Sequence, residues 1–183
     1  NGIQAGGELE AAYDRSTDGM TASLSLKNLV LSSVEGTGEL ENLSLSFHSS
    51  DTLLEGRIQS DFMEARVHVM GSAGDIKNAF SQRKLRLAAI VDSTVSNRVP
   101  VISLLPATAL SFEATYDPII GILLNDSLFS YNKVSASLTK ESTGNASSEI
   151  SVDQLNLGKA GGFGATLHFE NLPDTTILTV RAD

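Results

Sequence analysis

The chain has 183 residues, with 13 Lys and Arg against 22 Asp and Glu for a formal charge of −9; 41% of it is apolar, and it contains neither Cys nor Trp. This composition excludes a disordered chain, a disulfide scaffold, a Cys-ligated zinc site and a thiol nucleophile. An acidic chain whose basic residues cluster only at Arg83, Lys84 and Arg86 is a poor partner for a polyanion, so no nucleic acid is expected.

The first residues, from Asn1, show neither a basic nor a long apolar segment of the kind that targets a chain for export. A mature secreted protein would read this way, as would a fragment of something larger, and the expected location is the cell envelope (periplasm) or the extracellular space. From there alternation dominates. Ala22, Leu24 and Leu26 alternate with Thr21, Ser23 and Ser25, and Leu43, Leu45 and Phe47 with Ser44 and Ser46. Ala65, Val67 and Val69 alternate with Arg66 and His68. The pattern returns at Leu85 and Leu87, at Phe112, Ala114 and Tyr116, and at Val134, Ala136 and Leu138. It closes with Phe163 to Phe169 and with Leu178, Val180 and Ala182. A period of two with Ser, Thr, Arg or Lys on the other phase belongs to a sheet with one dry and one wet face.

Turn residues separate these runs at 14–19, 35–38, 49–52, 71–75, 141–145 and 158–162. About ten strands with mostly short connections predict an all-β fold: an antiparallel meander forming either a curved sheet or a β-sandwich. One helix is expected around residues 75–84, where Ile76, Ala79 and Phe80 take helical spacing and Asp75 is a candidate cap. The stretch 99–105, bounded by Pro100 and Pro106, reads as an apolar loop or edge segment. The whole, 1–183, reads as one domain with a soft division near 71–84. No run is long enough for a transmembrane helix: the longest, Ile119 to Leu124, is broken by Gly121.

Leu26-Lys-Asn-Leu-Val-Leu31 and Leu40-Glu-Asn-Leu-Ser-Leu45 share the form Leu-x-Asn-Leu-x-Leu. Each contains a one-residue phase slip, because Leu26 and Leu29 cannot share a side of a regular strand. A β-bulge at Lys27-Asn28 and another at Glu41-Asn42 would restore the phase.

Candidates for chemistry are few. None of His48, His68 and His168 has a second His, Asp or Glu at a spacing that builds a site locally, and no Gly-x-Ser-x-Gly elbow exists. Asp14 and Asp18 sit in a turn that would suit calcium only if further oxygen ligands were present. Gly161-Gly-Phe-Gly164 leads into a strand, not a helix, and so makes no phosphate cradle. The reading is therefore non-enzymatic, with no catalytic residue, no metal and no cofactor. The candidate ligand-binding residues are the apolar phase: Leu24, Leu26, Leu43, Leu45, Phe47, Val67 and Val69.

The cadence Gly7-Glu-Leu-Glu-Ala-Ala-Tyr13, Leu24-Ser-Leu-Lys-Asn-Leu-Val-Leu31 and Gly36-Thr-Gly-Glu-Leu40 resembles that of AsmA-like envelope proteins. The later stretch Leu85-Arg-Leu-Ala-Ala-Ile-Val-Asp92, Ile102-Ser-Leu-Leu-Pro106 and Leu110-Ser-Phe-Glu-Ala-Thr-Tyr116 is similar to theirs as well. That superfamily includes the inner-membrane subunit of the translocation and assembly module. The resemblance implies a long, folded-over β-sheet with an apolar groove that passes phospholipid, and no catalytic residues. The expected function is to bind or shield an apolar ligand such as lipid. The alternative is a structural subunit of an extracellular fibre or surface assembly, self-associating through edge strands. Residues 1–13, read as a loose Gly-rich tail, or the final strand Thr176–Ala182 would then be the donor.

Overall fold

The computed structural model describes residues 4–33, 36–72, 74–75, 77–78, 106–124, 129–157, 160–171 and 175–182. Within them the chain is all-β, and every strand pairing is antiparallel. The strands are β1 (Gln4–Ser16), β2 (Gly19–Ser33), β3 (Gly36–Ser49), β4 (Leu53–Ser60), β5 (Met63–Met70), β6 (Thr108–Thr115), β7 (Phe129–Ser130), β8 (Lys133–Lys140), β9 (Ala146–Leu157), β10 (Ala160–Asn171) and β11 (Thr176–Ala182). Ten of them form one path in the order β1-β2-β3-β4-β5-β6-β8-β9-β10-β11, and β7 pairs with β9. Of the two expected arrangements, the chain takes the single curved sheet and not the sandwich.

Turn chemistry sets the meander. β1 and β2 are joined through Thr17-Asp18, with Ser16 opposite Gly19. Gly19 has φ +150°, and a side chain there would meet the Ser49 carbonyl oxygen at 2.4 Å. β3 and β4 are joined by Ser50, whose hydroxyl accepts from the Leu53 N–H at 3.1 Å. Gly144 (φ +100°) turns the chain between β8 and β9. The Gly-rich beginning is not a loose tail: from Gln4 it is an edge strand, exposed along its whole length.

Both Leu-x-Asn-Leu-x-Leu segments lie in the β2–β3 hairpin and face each other, with Leu26 opposite Leu43 and Leu29 opposite Leu40. Asn28 supplies the slip through a left-handed backbone (φ +52°), and the β1–β2 register shifts beside it, between Gly6 and Glu8. Opposite Asn28, Glu41 and Asn42 donate their backbone N–H groups to one Asp61 carboxylate oxygen, at 3.0 and 3.4 Å.

One short helix, α1 (Pro118–Leu124), lies on the sheet. Asp117 caps it, its carboxylate accepting from the Ile119 N–H at 2.8 Å, and Pro118 suits the first helical position. Its Ile119 and Ile122 pack on Leu31 and Leu40, with Leu29, Leu43 and Phe62 around them. The helix approaches this closely because Gly38 lies beneath it: a Cβ there would stand 3.2 Å from the Ile119 Cα.

Of the helix expected over 75–84, residues 74, 75, 77 and 78 are helical, and 79–84 lie outside the described residues. Its cap is Ser72, not Asp75. The Ser72 hydroxyl accepts from the Asp75 N–H at 3.1 Å, while the Asp75 carboxylate accepts from the Ser72 N–H at 2.9 Å, a reciprocal capping box. The Ser72 hydroxyl, which donates to the Asp75 carboxylate at 2.7 Å, and then the Ser72 N–H hold the Asp75 carboxyl below its ordinary pKa. The alternating residues Leu85 and Leu87, the segment 99–105 and the cluster Arg83, Lys84 and Arg86 also lie outside the described residues.

Candidate ligand-binding face

In an antiparallel sheet directly opposed residues share a face, so the pairings can be followed from edge to edge as rows. One row runs Ala11, Leu24, Leu45, Ile58, Ala65, Phe112, Ala136, Ile150, Leu167, Val180: ten strands and no polar side chain. The row on one side of it is Tyr13, Ala22, Phe47, Gly56, Val67, Leu110, Leu138, Ser148, Phe169, Leu178. On its other side stand Leu9, Leu26, Leu43 and the polar Ser60 on β1 to β4, and then Met63, Ala114, Val134, Val152, Ala165 and Ala182 on β5 to β11.

The opposite face is mostly polar, with Ala12, Leu53, Met70, Ala109 and Ile177 among its apolar exceptions. Behind the central apolar row runs Ala12, Ser23, Ser46, Arg57, Arg66, Ser111, Ser137, Glu149, His168, Thr179. Here Glu64 accepts from both Arg57 and Arg66, at 2.6 and 2.8 Å, and Lys133 meets Glu113 at 2.7 Å. The two guanidinium groups, Arg66 foremost, hold the Glu64 carboxyl below its ordinary value. Exposed ion pairs of this kind keep a face wet and add little stability.

The three apolar rows span about 45 by 20 Å at ordinary strand and residue spacings, about 900 Å² in projection. The largest apolar patch on a typical monomer is ~300–600 Å². Against this face the structure places α1 at one corner, over Leu31 and Leu40. Much of the rest stands open: Leu45 is 37%, Leu110 39% and Ile150 47% exposed. These three help line a trough of about 590 Å³ whose floor runs from β3 to β9 and includes Phe47, Ile58, Phe112 and Leu138. Gly56 deepens it between Phe47 and Val67, since a Cβ there would come within 2.7 Å of the Val67 methyl. Two further depressions, about 710 and 630 Å³, mix apolar groups with charged and hydroxyl side chains such as His48, Glu55, Arg57 and Glu64.

The sheet brings all seven sequence-derived residues to this one face. Phe47 and Val67 share a row, as do Leu24 with Leu45 and Leu26 with Leu43. Val69 lies at one end of the face and is only 6% exposed; its row contains the buried Thr108, Lys140 and Asn171. It belongs to the packed margin and not to the open trough. Sequence reading missed Ile58 and Ile150, on β4 and β9, because Gly56 and Ser148 interrupt the apolar phase beside them. The signal was there in Leu54, Gly56, Ile58 and in Ile150, Val152, taken at alternate positions.

The histidines do gain acidic neighbours, across strands and not along them. His68 Nδ1 lies 3.0 Å from Glu55, and His168 Nδ1 3.5 Å from Glu149, all exposed on the polar face. Asp14 pairs with Thr21 in β1, and Asp18 sits in the turn with its N–H on the Ser16 hydroxyl. Among the described residues no three His, Asp or Glu side chains converge to hold a metal ion, and no helix is long and apolar enough to cross a membrane. No protein-family model, curated protein or solved structure matches the chain.

Proposed function

We propose that this chain is a non-enzymatic β-sheet module of the cell envelope or extracellular space whose dry face takes up the hydrocarbon part of a lipid. The observation that carries this reading is the central row, apolar across all ten strands and largely open. Apart from Phe112 its side chains are Leu, Ile, Val and Ala, a mainly aliphatic floor suited to flexible chains more than to flat rings, which aromatic stacking would hold better. The resemblance to AsmA-like proteins points the same way.

The magnitude sets the kind of binding. A CH2 group removed from water contributes about 0.8 kcal/mol, and about half of that when only one side is covered. A chain of roughly fourteen CH2 groups lying in the trough would gain about 5–6 kcal/mol before the cost of immobilising it, so the Kd is no tighter than about 0.1 mM. That is exchangeable uptake, fit for shielding or passing a lipid and too weak for storing one.

The test is equilibrium titration with BODIPY-labelled palmitate, read by fluorescence anisotropy, on the wild type and two variants. Ile150→Asp puts a charge in the trough; Glu149→Gln changes the neighbouring position on the wet face. Saturable binding that Ile150→Asp removes and Glu149→Gln leaves intact is the expected result. No saturable binding, or equal binding by both variants, would overturn the proposal.

A further inference from the structure

Both long edges of the sheet are open: among the described residues β1 pairs only with β2, and β11 only with β10. Open edges normally carry a proline, a bulge or an inward charge that prevents further pairing. β11 has neither proline nor bulge, and β1 is regular from Glu8 to Ser16. We propose that β11 of one copy pairs with β1 of the next, so that whole sheets add head to tail in the same rows.

Three features of the chain converge on this pairing. The path contains ten strands, an even number, so β11 runs antiparallel to β1, and a translated copy presents an antiparallel partner. The rows also end in matching residues. Leu178 and Tyr13 close one row, Val180 and Ala11 the next; three of these are among the more open large apolar groups, Val180 at 67%, Tyr13 at 64% and Leu178 at 62%. On the wet face Arg181 and Glu10 end a single row. Stacking in register therefore sets the one charged side chain of β11 beside an acid of β1, with Ile177 beside Asp14 as the mismatched pair. Glu10 has room for this contact, being 80% exposed with its Lys27 neighbour at 3.9 Å.

Charge also argues against the symmetric alternative. β1 against β1 would set Glu8, Glu10 and Asp14 of two copies together, with Arg15 the only cation. Head-to-tail pairing does not close on itself, so it yields a growing series and not a dimer. This differs from exchange of a terminal strand, since each copy keeps its own ten strands. It does not depend on what the dry face takes up.

Sedimentation velocity over a wide range of protein concentration tests the pairing, with the wild type, Arg181→Glu, Glu10→Arg and the double reversal. Both side chains are exposed, so the far-ultraviolet circular dichroism of all four should coincide. The wild type should form a ladder of species that lengthens with concentration. Each single reversal, turning attraction into repulsion, should weaken association about five- to tenfold, and the double reversal should restore it. A wild type that stays monomeric, one that stops at a dimer, or single reversals without effect would each overturn the proposal.

Discussion

Leu29 stands directly across the β2–β3 ladder from Leu40, in the register that sets Leu26 against Leu43, although Asn28 lies between the two pairs with a left-handed backbone. The slip moves Leu29 and Leu31 onto the face already occupied by Leu24 and Leu26, and this is what lets α1 find a dry surface there. Replacing Asn28 by Val forces a β-branched residue into that region, at a cost of about 1–2 kcal/mol. Asn28→Gly should be nearly neutral, because Gly enters the left-handed region freely. Urea unfolding midpoints of the two variants against the wild type check the difference.

The bulge shows how much of the fold was legible in the sequence. A repeat with the same slip in both copies pointed to β-bulges at Lys27-Asn28 and Glu41-Asn42; the β1–β2 register shifts beside the first, while the β2–β3 register carries both places past each other without a shift. The two-faced character of the sheet was legible as well, since Ser opposite Leu needs no tertiary information. Three things were not. The Gly-rich stretch 4–7 gave no alternation, yet it is held as a strand by a long partner, β2. The helix at Pro118–Leu124 has too few residues for periodicity, and its capping by Asp117 is a single-residue signal. The choice between one sheet and two turned on whether strands from the two halves pair, and a direct β5–β6 ladder is a long-range fact that no local pattern encodes.

Asp61 fastens the second slip from a distance, its carboxylate accepting from the Glu41 and Asn42 N–H groups at the point where the β3–β4 ladder ends. Charge-assisted bonds to backbone donors are the stronger sort. Asp61→Ala should lower stability by about 1–2 kcal/mol, the scale of a lost helix cap. Asp61→Asn, which keeps one acceptor oxygen, should lose roughly half as much. Hydrogen exchange at the Glu41 and Asn42 amides should accelerate in the Ala variant, while amides in β8 to β10 keep their protection.

Gly38 is fixed by what lies above it. A Cβ would stand 3.0 Å from an Ile122 methyl, which can turn away, and 3.2 Å from the Ile119 Cα, which moves only with the helix. Ile119, at 1% exposure, is the most enclosed large side chain described. Gly38→Val should therefore lift α1 and cost about 1–3 kcal/mol by overpacking. Ile119→Ala should cost about 2–5 kcal/mol by leaving a cavity in the same contact. Because both act on one interface, the double variant should lose less than the sum, which a double-mutant cycle on urea midpoints would read out.

The wet face makes its own prediction through Glu64, which two arginines hold in its ionised form. Its pKa in the folded chain is depressed, so the contribution of this carboxylate is present above its ordinary pKa and is lost as the pH falls through the lowered one. Glu64→Gln mimics the protonated acid and leaves Arg57 and Arg66 side by side without their shared acceptor. At neutral pH the variant should be the less stable protein, by a small margin because the group is open to solvent and its field is screened. On acidification the wild type should lose that margin and the two unfolding midpoints should converge. A urea series between neutral and acid pH tests the sign: curves that stay parallel, or that diverge as acid is added, would mean that Glu64 is not held by its two arginines.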